Sequence, residues 1–334
     1  MTRVNALGST ARSALYLLLA AVVAAALTAW IGPDSRSAGK DGFYGMVVGP
    51  DVDAQRAIPK LSALGVNTVR LRMDVGDWGR PEANTGTAAY DGALRQAPPL
   101  EKEGFRVVLQ VNSVGGQMPS YARARLLLEW LFDRQGASSI DVIEMLGPVT
   151  DKTANADAFS TTLTFAEQAR RYVDGPLKAA WDVAHDHGKK VLGAAFTPWQ
   201  QAAEMRNAGA WGLPVTRAYV AAGYLERVDY AGFHPDQPTA RAQRVWVDRA
   251  RAVLTGKPLW VSEWQLNYEA FGNDGTYVDA MGDAASQLHS RVGTACYAGF
   301  TPADGPVPVT QSGFGGYREK DPAFEAYRSW ARSG

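Results

Sequence analysis

The sequence predicts a single-domain (β/α)8 TIM barrel of the α/β class, preceded by an N-terminal hydrophobic helix. Three observations predict it. From residue 43 onward, short runs rich in apolar and β-branched residues recur. Longer segments with helical character lie between them. Glycine repeatedly stands where a helix would hand over to the next strand. The chain has 334 residues, and eight β/α units over roughly 290 residues is the size of such a barrel. An open, doubly wound sheet is the competing arrangement, and it calls for a Gly-rich phosphate turn after the first strand. Gly45-Met46-Val47-Val48-Gly49-Pro50 does not supply one, and Ser113-Val114-Gly115-Gly116 reads as a flexible βα loop.

The elements follow in chain order. Arg3 and Arg12 precede an uncharged run over 14–31, rich in Ala, Leu and Val. This is the pattern of a secretory signal, with Ala24, Ala26 and Ala29 as small residues for cleavage. The run is also nearly long enough for an uncleaved membrane anchor. In either case the positive residues ahead of it place the remainder of the chain outside the cytoplasm. The expected organisation is therefore a signal peptide or anchor at 1–31, a linker at 32–42 and the barrel at 43–334. The protein is expected to be exported: secreted, periplasmic, or held on the outer face of the plasma membrane by 14–31.

Strands are predicted at 43–48, 68–73, 106–111, 142–146, 190–196, 230–234, 259–263 and 295–300. Several are almost continuously apolar, as befits a parallel sheet covered by helices. Helices are predicted at 54–64, 166–184, 241–254 and 277–289, among others. Gly65, Gly104, Gly188 and Gly256 each fall at a helix-to-strand turn, the position where a left-handed residue ends a helix.

Composition excludes several functions. Lys plus Arg and Asp plus Glu are balanced at 34 each, so nothing points to nucleic acid or to acidic lipid. Contact with a membrane is expected only through the N-terminal segment, and the protein is expected to be a monomer. A lone cysteine, Cys296, rules out an internal disulfide and reads as a small buried apolar residue. The four histidines lack metal-ligand spacing, and His185 and His187 suit a helix C-terminus. No cofactor signature is present.

In a barrel, chemistry sits at the C-terminal ends of the strands. The strongest signal there is Gly256-Lys257-Pro258-Leu259-Trp260-Val261-Ser262-Glu263-Trp264, an apolar strand closed by a carboxylate. An ionised Glu263 at the mouth could attack an anomeric carbon. Equally, it could be tied to an arginine within the barrel, Arg70 or Arg72. Arg72 could hold Glu263 ionised and oriented. His234 could bind a hydroxyl or carboxylate, or be bonded within the barrel wall. Trp78, Trp199, Trp264 and Tyr297 lie at or near strand ends, where rings stack on the CH faces of sugars or simply pack. Asn112 could bond a sugar hydroxyl or shape a turn.

The strand-seven segment resembles that of clan A retaining glycoside hydrolases, in which Pro-(apolar)-Trp-(apolar)-Ser/Thr-Glu ends in the nucleophile. Gly65-Val66-Asn67-Thr68-Val69-Arg70-Leu71-Arg72, with Trp78, Pro81-Glu82, Gly86 and Tyr90-Asp91, resembles the second-strand region of family 39 (β-xylosidase-like) and related cellulase-like barrels. Asp229-Tyr230-Ala231-Gly232-Phe233-His234-Pro235 resembles their sixth strand. Gly313 to Arg318 and Pro322 to Tyr327 resemble their C-terminal segment. The resemblance runs from Phe43 to Trp330. It implies a retaining glycoside hydrolase acting on an extracellular or periplasmic poly- or oligosaccharide, with Glu263 as nucleophile.

One departure stands out. The family carries Asn-Glu-Pro at the end of strand four, the Glu being the acid/base. Here Ile143-Glu144-Met145-Leu146-Gly147-Pro148-Val149-Thr150-Asp151 puts Gly147-Pro148 in place of the Asn-Glu pair. Substitute acids are Glu144, Asp151 after a loop shift, or Asp74 and Asp77, the last two also suited to capping. Losing the acid costs about 10²–10⁴-fold in rate. The alternative function is therefore a non-catalytic carbohydrate-binding barrel, a pseudoenzyme in polysaccharide assembly or sensing.

Overall fold

The computed structural model describes residues 42–147, 163–198, 213–235, 237, 239–266, 274–300, 310–313, 316–319 and 323–333. The strands are β1 (Tyr44–Val48), β2 (Thr68–Val75), β3 (Arg106–Ser113), β4 (Val142–Met145), β5 (Lys190–Leu192), β6 (Ala231–Gly232), β7 (Leu259–Trp264) and β8 (Thr294–Ala298). They form one parallel sheet ordered β5-β4-β3-β2-β1-β8-β7-β6. Two isolated parallel bridges, Leu192 to Tyr230 and Phe196 to Phe233, join β5 to β6 and nearly close the ring. This is the (β/α)8 barrel that the alternating pattern predicts. A separate antiparallel hairpin, β9 (Thr310–Gly313) and β10 (Gly316–Glu319), follows the barrel strands.

The covering helices are α1 (Ala54–Ala63), α2 (Ala88–Lys102), α3 (Tyr121–Phe132), α4 (Phe165–Tyr172), α5 (Lys178–Asp186), α6 (Pro214–Ala221), α7 (Ala240–Val253), α8 (Asp274–His289) and α9 (Ala323–Ser333). Their starts are set locally. Asp53, Thr87, Ser120, Thr164 and Thr239 each cap a helix by accepting from backbone N–H groups of the first turn. Gly65, Gly104, Gly188 and Gly256 all have positive φ, between 67° and 89°, as their place at helix ends requires. The segment 166–184, expected as one helix, is two helices joined by a π turn at Val173–Leu177. Pro176 has no N–H to donate and Gly175 takes a non-helical ψ of −110°, which interrupts the ladder there.

The main core lies between strands and helices. A smaller cluster of Val108, Val142, Leu192 and Trp260 fills the barrel interior. Tyr230 stacks on the Trp260 ring at 4.0 Å, and the Arg106 guanidinium sits 5.0 Å from that ring's centre. The β5–β6 seam closes tightly because Gly193 and Gly232 carry no side chain. A Cβ at Gly232 would run into the Gly193 carbonyl, and one at Gly193 into the Tyr224 ring. Among the described residues no helix is long and apolar enough to cross a membrane, and the apolar run at 14–31 lies outside them.

Candidate active site

Side chains alternate across a strand, so parity decides what enters the barrel. On β2 the inward set is Arg70, Arg72 and Asp74. In register, Arg72 pairs with Gln110 and Gln110 with Glu144, while Asp74 pairs with Asn112. On β7, Val261 pairs with Ala295 but Trp264 pairs with Tyr297. Three steps along β7 thus match two along β8, which is a β-bulge. The extra residue lets two neighbours, Ser262 and Glu263, both point inward.

The result is a charged cluster around one guanidinium. Arg70 Nε donates to Glu144 Oε2 at 2.6 Å and Nη2 to Glu144 Oε1 at 3.3 Å. Arg70 Nη1 donates to Glu263 Oε2 at 2.9 Å. Ser262 Oγ donates to Glu144 Oε1 at 2.9 Å, and His234 Nε2 lies 2.9 Å from Ser262 Oγ. A hydroxyl has one proton. Since Ser262 gives it to the carboxylate, His234 must donate from Nε2. The chain from His234 through Ser262 and Glu144 to Arg70 thereby fixes the group that grips Glu263.

Exposure separates the two glutamates. The Glu144 side chain has no exposed surface, whereas that of Glu263 is 36% exposed. Burial alone would push the Glu263 carboxyl upward. The charge and hydrogen bond of Arg70, with smaller contributions from His234 and Arg72, outweigh it and hold Glu263 below the ordinary carboxylate range. The opposing charges in turn raise Arg70 against its own burial. Cys296 faces the same interior layer, where burial pushes its thiol up to about 12. It is buried, as its apolar neighbours in sequence predict.

The other candidates fall as follows. Arg72 is half exposed and donates to Asp74 Oδ1 at 2.8 Å, so Arg70, not Arg72, holds Glu263. Asn112 donates to Asp74 at 3.3 Å and accepts from the Gly147 N–H at 3.1 Å, tying the ends of β2, β3 and β4 together. His234 is in the barrel wall, 2% exposed. Asp77 caps the turn at Gly79 and Arg80.

Three aromatic residues do not line the mouth. Trp264 shares the helix-facing side of the sheet with Tyr297, 5.2 Å away. Tyr297 packs against Tyr327 of α9 and hydrogen-bonds Tyr277 of α8. Trp78 is buried in the β2–α2 loop, where its indole N–H donates to Ser113 Oγ. Trp264 and Tyr297 thus face the helices, and Trp78 is buried in its loop. Trp199 and Asp151 lie outside the described residues. Glu144 has both oxygens engaged beneath the mouth and no surface from which to deliver a proton.

Sequence reasoning missed the role of Ser262. The available signal was a hydroxyl inside an otherwise apolar strand, directly before the carboxylate.

The described strands form a nearly closed parallel (β/α)8 barrel with carboxylates and arginines converging inside it. Comparison with solved structures agrees. The chain is similar to a family 128 (subgroup II) endo-β-1,3-glucanase from Sorangium cellulosum, with TM-score 0.55 and 16% identity over 86% of this chain and 98% of that one. It is similar to a family 39 glycoside hydrolase from the gut symbiont Bacteroides cellulosilyticus, with TM-score 0.56 and 14% identity over 88% and 64%. It is also similar to the endo-β-1,4-mannanase of Thermotoga petrophila, with TM-score 0.59 and 11% identity over 88% and 77%. At these identities the likeness establishes the shared fold. No family model and no curated protein matches the sequence.

Proposed function

We propose that the protein is an exported glycoside hydrolase that cleaves a poly- or oligosaccharide with retention of configuration, Glu263 being the nucleophile. The observation that carries this reading is the Glu263 carboxylate itself. It enters the barrel from the β7 bulge, stays partly open to solvent, and is gripped at 2.9 Å by Arg70. A nucleophile must be ionised and aimed, and the pairing with Arg70 supplies both. Glu144 acts as a positioning residue that fixes Arg70, with Ser262 and His234 behind it. The resemblance of the strand-seven segment to clan A enzymes and the shared fold support the same reading. The segment at 14–31 would direct the barrel out of the cytoplasm, toward extracellular or periplasmic carbohydrate.

The test is mechanism-based trapping. The protein is incubated with 2-deoxy-2-fluoro glycosides of the gluco, manno and xylo series bearing a dinitrophenyl leaving group, then digested for peptide mass analysis. A glycosyl adduct on Glu263, absent in Glu263→Gln, is the expected result. Hydrolysis of aryl glycosides, β-1,3-glucan or β-1,4-mannan that survives Glu263→Gln would remove Glu263 from the nucleophile's role. Calorimetric binding of oligosaccharide with no turnover of any substrate would replace the enzyme with a binding barrel.

A further inference from the structure

The chain enters the barrel at the pole opposite the candidate site. All eight strands are parallel. Their N-terminal ends therefore share one face, the base, and their C-terminal ends share the other, the mouth. Residues 42–44 lie at the base. The Gly42 carbonyl accepts from Thr294 Oγ1 at 3.5 Å and the Phe43 carbonyl from the Ala295 N–H at 2.8 Å, both at the start of β8. The Tyr44 carbonyl accepts from the Asn67 N–H at 3.0 Å, just ahead of β2. Phe43 is buried and meets the His289 ring edge-on at 4.9 Å, and Tyr44 donates to the Trp330 carbonyl at 2.6 Å. These contacts fasten the point of entry. Glu263 is the next-to-last residue of β7, at the other pole.

What precedes the barrel is short. The apolar run 14–31 has 18 residues, within a span of 21 residues, 13–33, that carries no charge. That exceeds the apolar part of a cleaved signal, about 7–15 residues. It falls among stretches that cross a bilayer, about 17–25 residues. Tyr16 and Trp30 stand near its two ends, where aromatic rings sit at the two membrane interfaces. Only 11 residues, 32–42, separate the run from the barrel. At about 3.3–3.6 Å per residue they reach about 40 Å when fully stretched, whatever their conformation. A globular domain of roughly 290 residues has a radius of gyration of about 19 Å and is therefore about 50 Å across. To turn the mouth toward the bilayer, the linker would have to pass from the base around the helices to the opposite pole. That path is longer than its full stretch.

Resting on the reading of the protein as an exported glycoside hydrolase, we infer that the run 14–31 is kept as a membrane anchor that tethers the barrel by its base, with the mouth turned away from the bilayer, and that the substrate is a glycan polymer lying above the membrane. A sugar carried on the head group of a lipid in the same bilayer stays out of reach of Glu263. The base needs no affinity for lipid, because the tether alone sets the orientation.

The experiment uses the full chain. Expressed in bacteria, it should stay with the membrane through an alkaline carbonate wash and keep the mass of the uncleaved chain; a soluble protein shortened at 24–29 overturns the anchor. Protease added to spheroplasts should degrade the barrel. A protected barrel lies in the cytoplasm, which refutes export and this inference with it. For orientation, Thr255→Cys, in the exposed turn between α7 and β7 at the base, and Val114→Cys, 57% exposed after β3 at the mouth, are each labelled with a fluorescent donor; Cys296 is buried. The labelled proteins are placed in phosphatidylcholine vesicles that carry an acceptor-labelled lipid. The Thr255→Cys donor should lose most of its emission and the Val114→Cys donor little. Equal quenching, or the reverse order, overturns the orientation. For substrate class, the same vesicles receive soluble β-1,3-glucan or β-1,4-mannan, or carry the matching oligosaccharide on a synthetic lipid. Hydrolysis of the soluble polymer with sparing of the lipid-borne sugar is expected. A flexible insert of about 30 Gly and Ser residues between Ser37 and Ala38, which lengthens the tether, should admit the lipid-borne sugar and quench the Val114→Cys donor. Equal rates on both substrates with the native linker overturn the substrate class. If neither is cleaved and Glu263 takes no fluoroglycosyl label, the hydrolase reading and the substrate class fall, while the two donors still decide the orientation.

Discussion

Arg70→Met is the substitution with the largest expected consequence. Methionine nearly fills the space of the arginine stem, so the change removes charge and donors rather than volume. Two carboxylates lose a partner, but unequally. Glu263 is 36% exposed, so water replaces much of what the guanidinium gave it, and its share is small. Glu144 has no exposed surface. It keeps only the Ser262 hydroxyl and becomes a buried charge with no counter-ion. Breaking such a pair from one side costs about 3–5 kcal/mol, because the remaining charge stays desolvated. Removing both charges in Arg70→Met/Glu144→Gln leaves the amide within reach of Ser262 and should cost less than the single change. Equilibrium urea unfolding followed by tryptophan fluorescence reads all three proteins. A loss below about 1 kcal/mol for Arg70→Met, typical of an exposed pair, would refute the view of Glu144 as a sealed charge. A double variant less stable than the single one would refute it independently.

Two further outcomes follow from the same interior. The Glu263 carboxyl is held below its unfolded value, about 4.3 for a glutamate. Its contribution to stability is therefore fully present above that value and is lost as pH falls through the lower folded value. The difference in urea midpoint between wild type and Glu263→Gln should be flat from about pH 5 to 8 and change only below about pH 4; a change centred near neutrality would contradict the Arg70 pairing. Cys296, buried with its thiol pushed up to about 12, should resist a thiol-disulfide reagent at pH 8 in the folded protein and react at once in urea, read by absorbance; immediate reaction without denaturant would place it on an accessible surface.

What the sequence could convey divides along physical lines. Local signals were sufficient for the scaffold. All eight strands lie where apolar runs end in turns, and the four glycines proposed as helix terminators have the positive φ that such a position favours. Gly175-Pro176 carried a local signal too, and it breaks the helix expected across it. Direction was not legible in the same way. Which arginine of β2 meets Glu263 depends on the register of β2 against strands distant in sequence, and only the sheet decides for Arg70. Trp264 and Tyr297 sit near strand ends as expected, yet they face helices α8 and α9, since inward and outward positions differ by one residue.

The β7 bulge shows why a period-two reading fails at the site itself. In a regular strand Ser262 and Glu263 would take opposite faces, and only one could enter the barrel. The slip between Val261 and Trp264 turns both inward and divides the work between them. Ser262 reaches down to the sealed Glu144 while Glu263 remains at the opening. The bulge also returns Trp264 to the helix-facing side, where it packs on Tyr297. One inserted residue thus accounts for the paired inward groups, the outward-facing tryptophan and the separation of a sealed carboxylate from one open to solvent. Shortening the bulge by one residue would leave the apolar pattern of β7 intact up to Val261, yet it would force either the hydroxyl or the carboxylate out of the barrel.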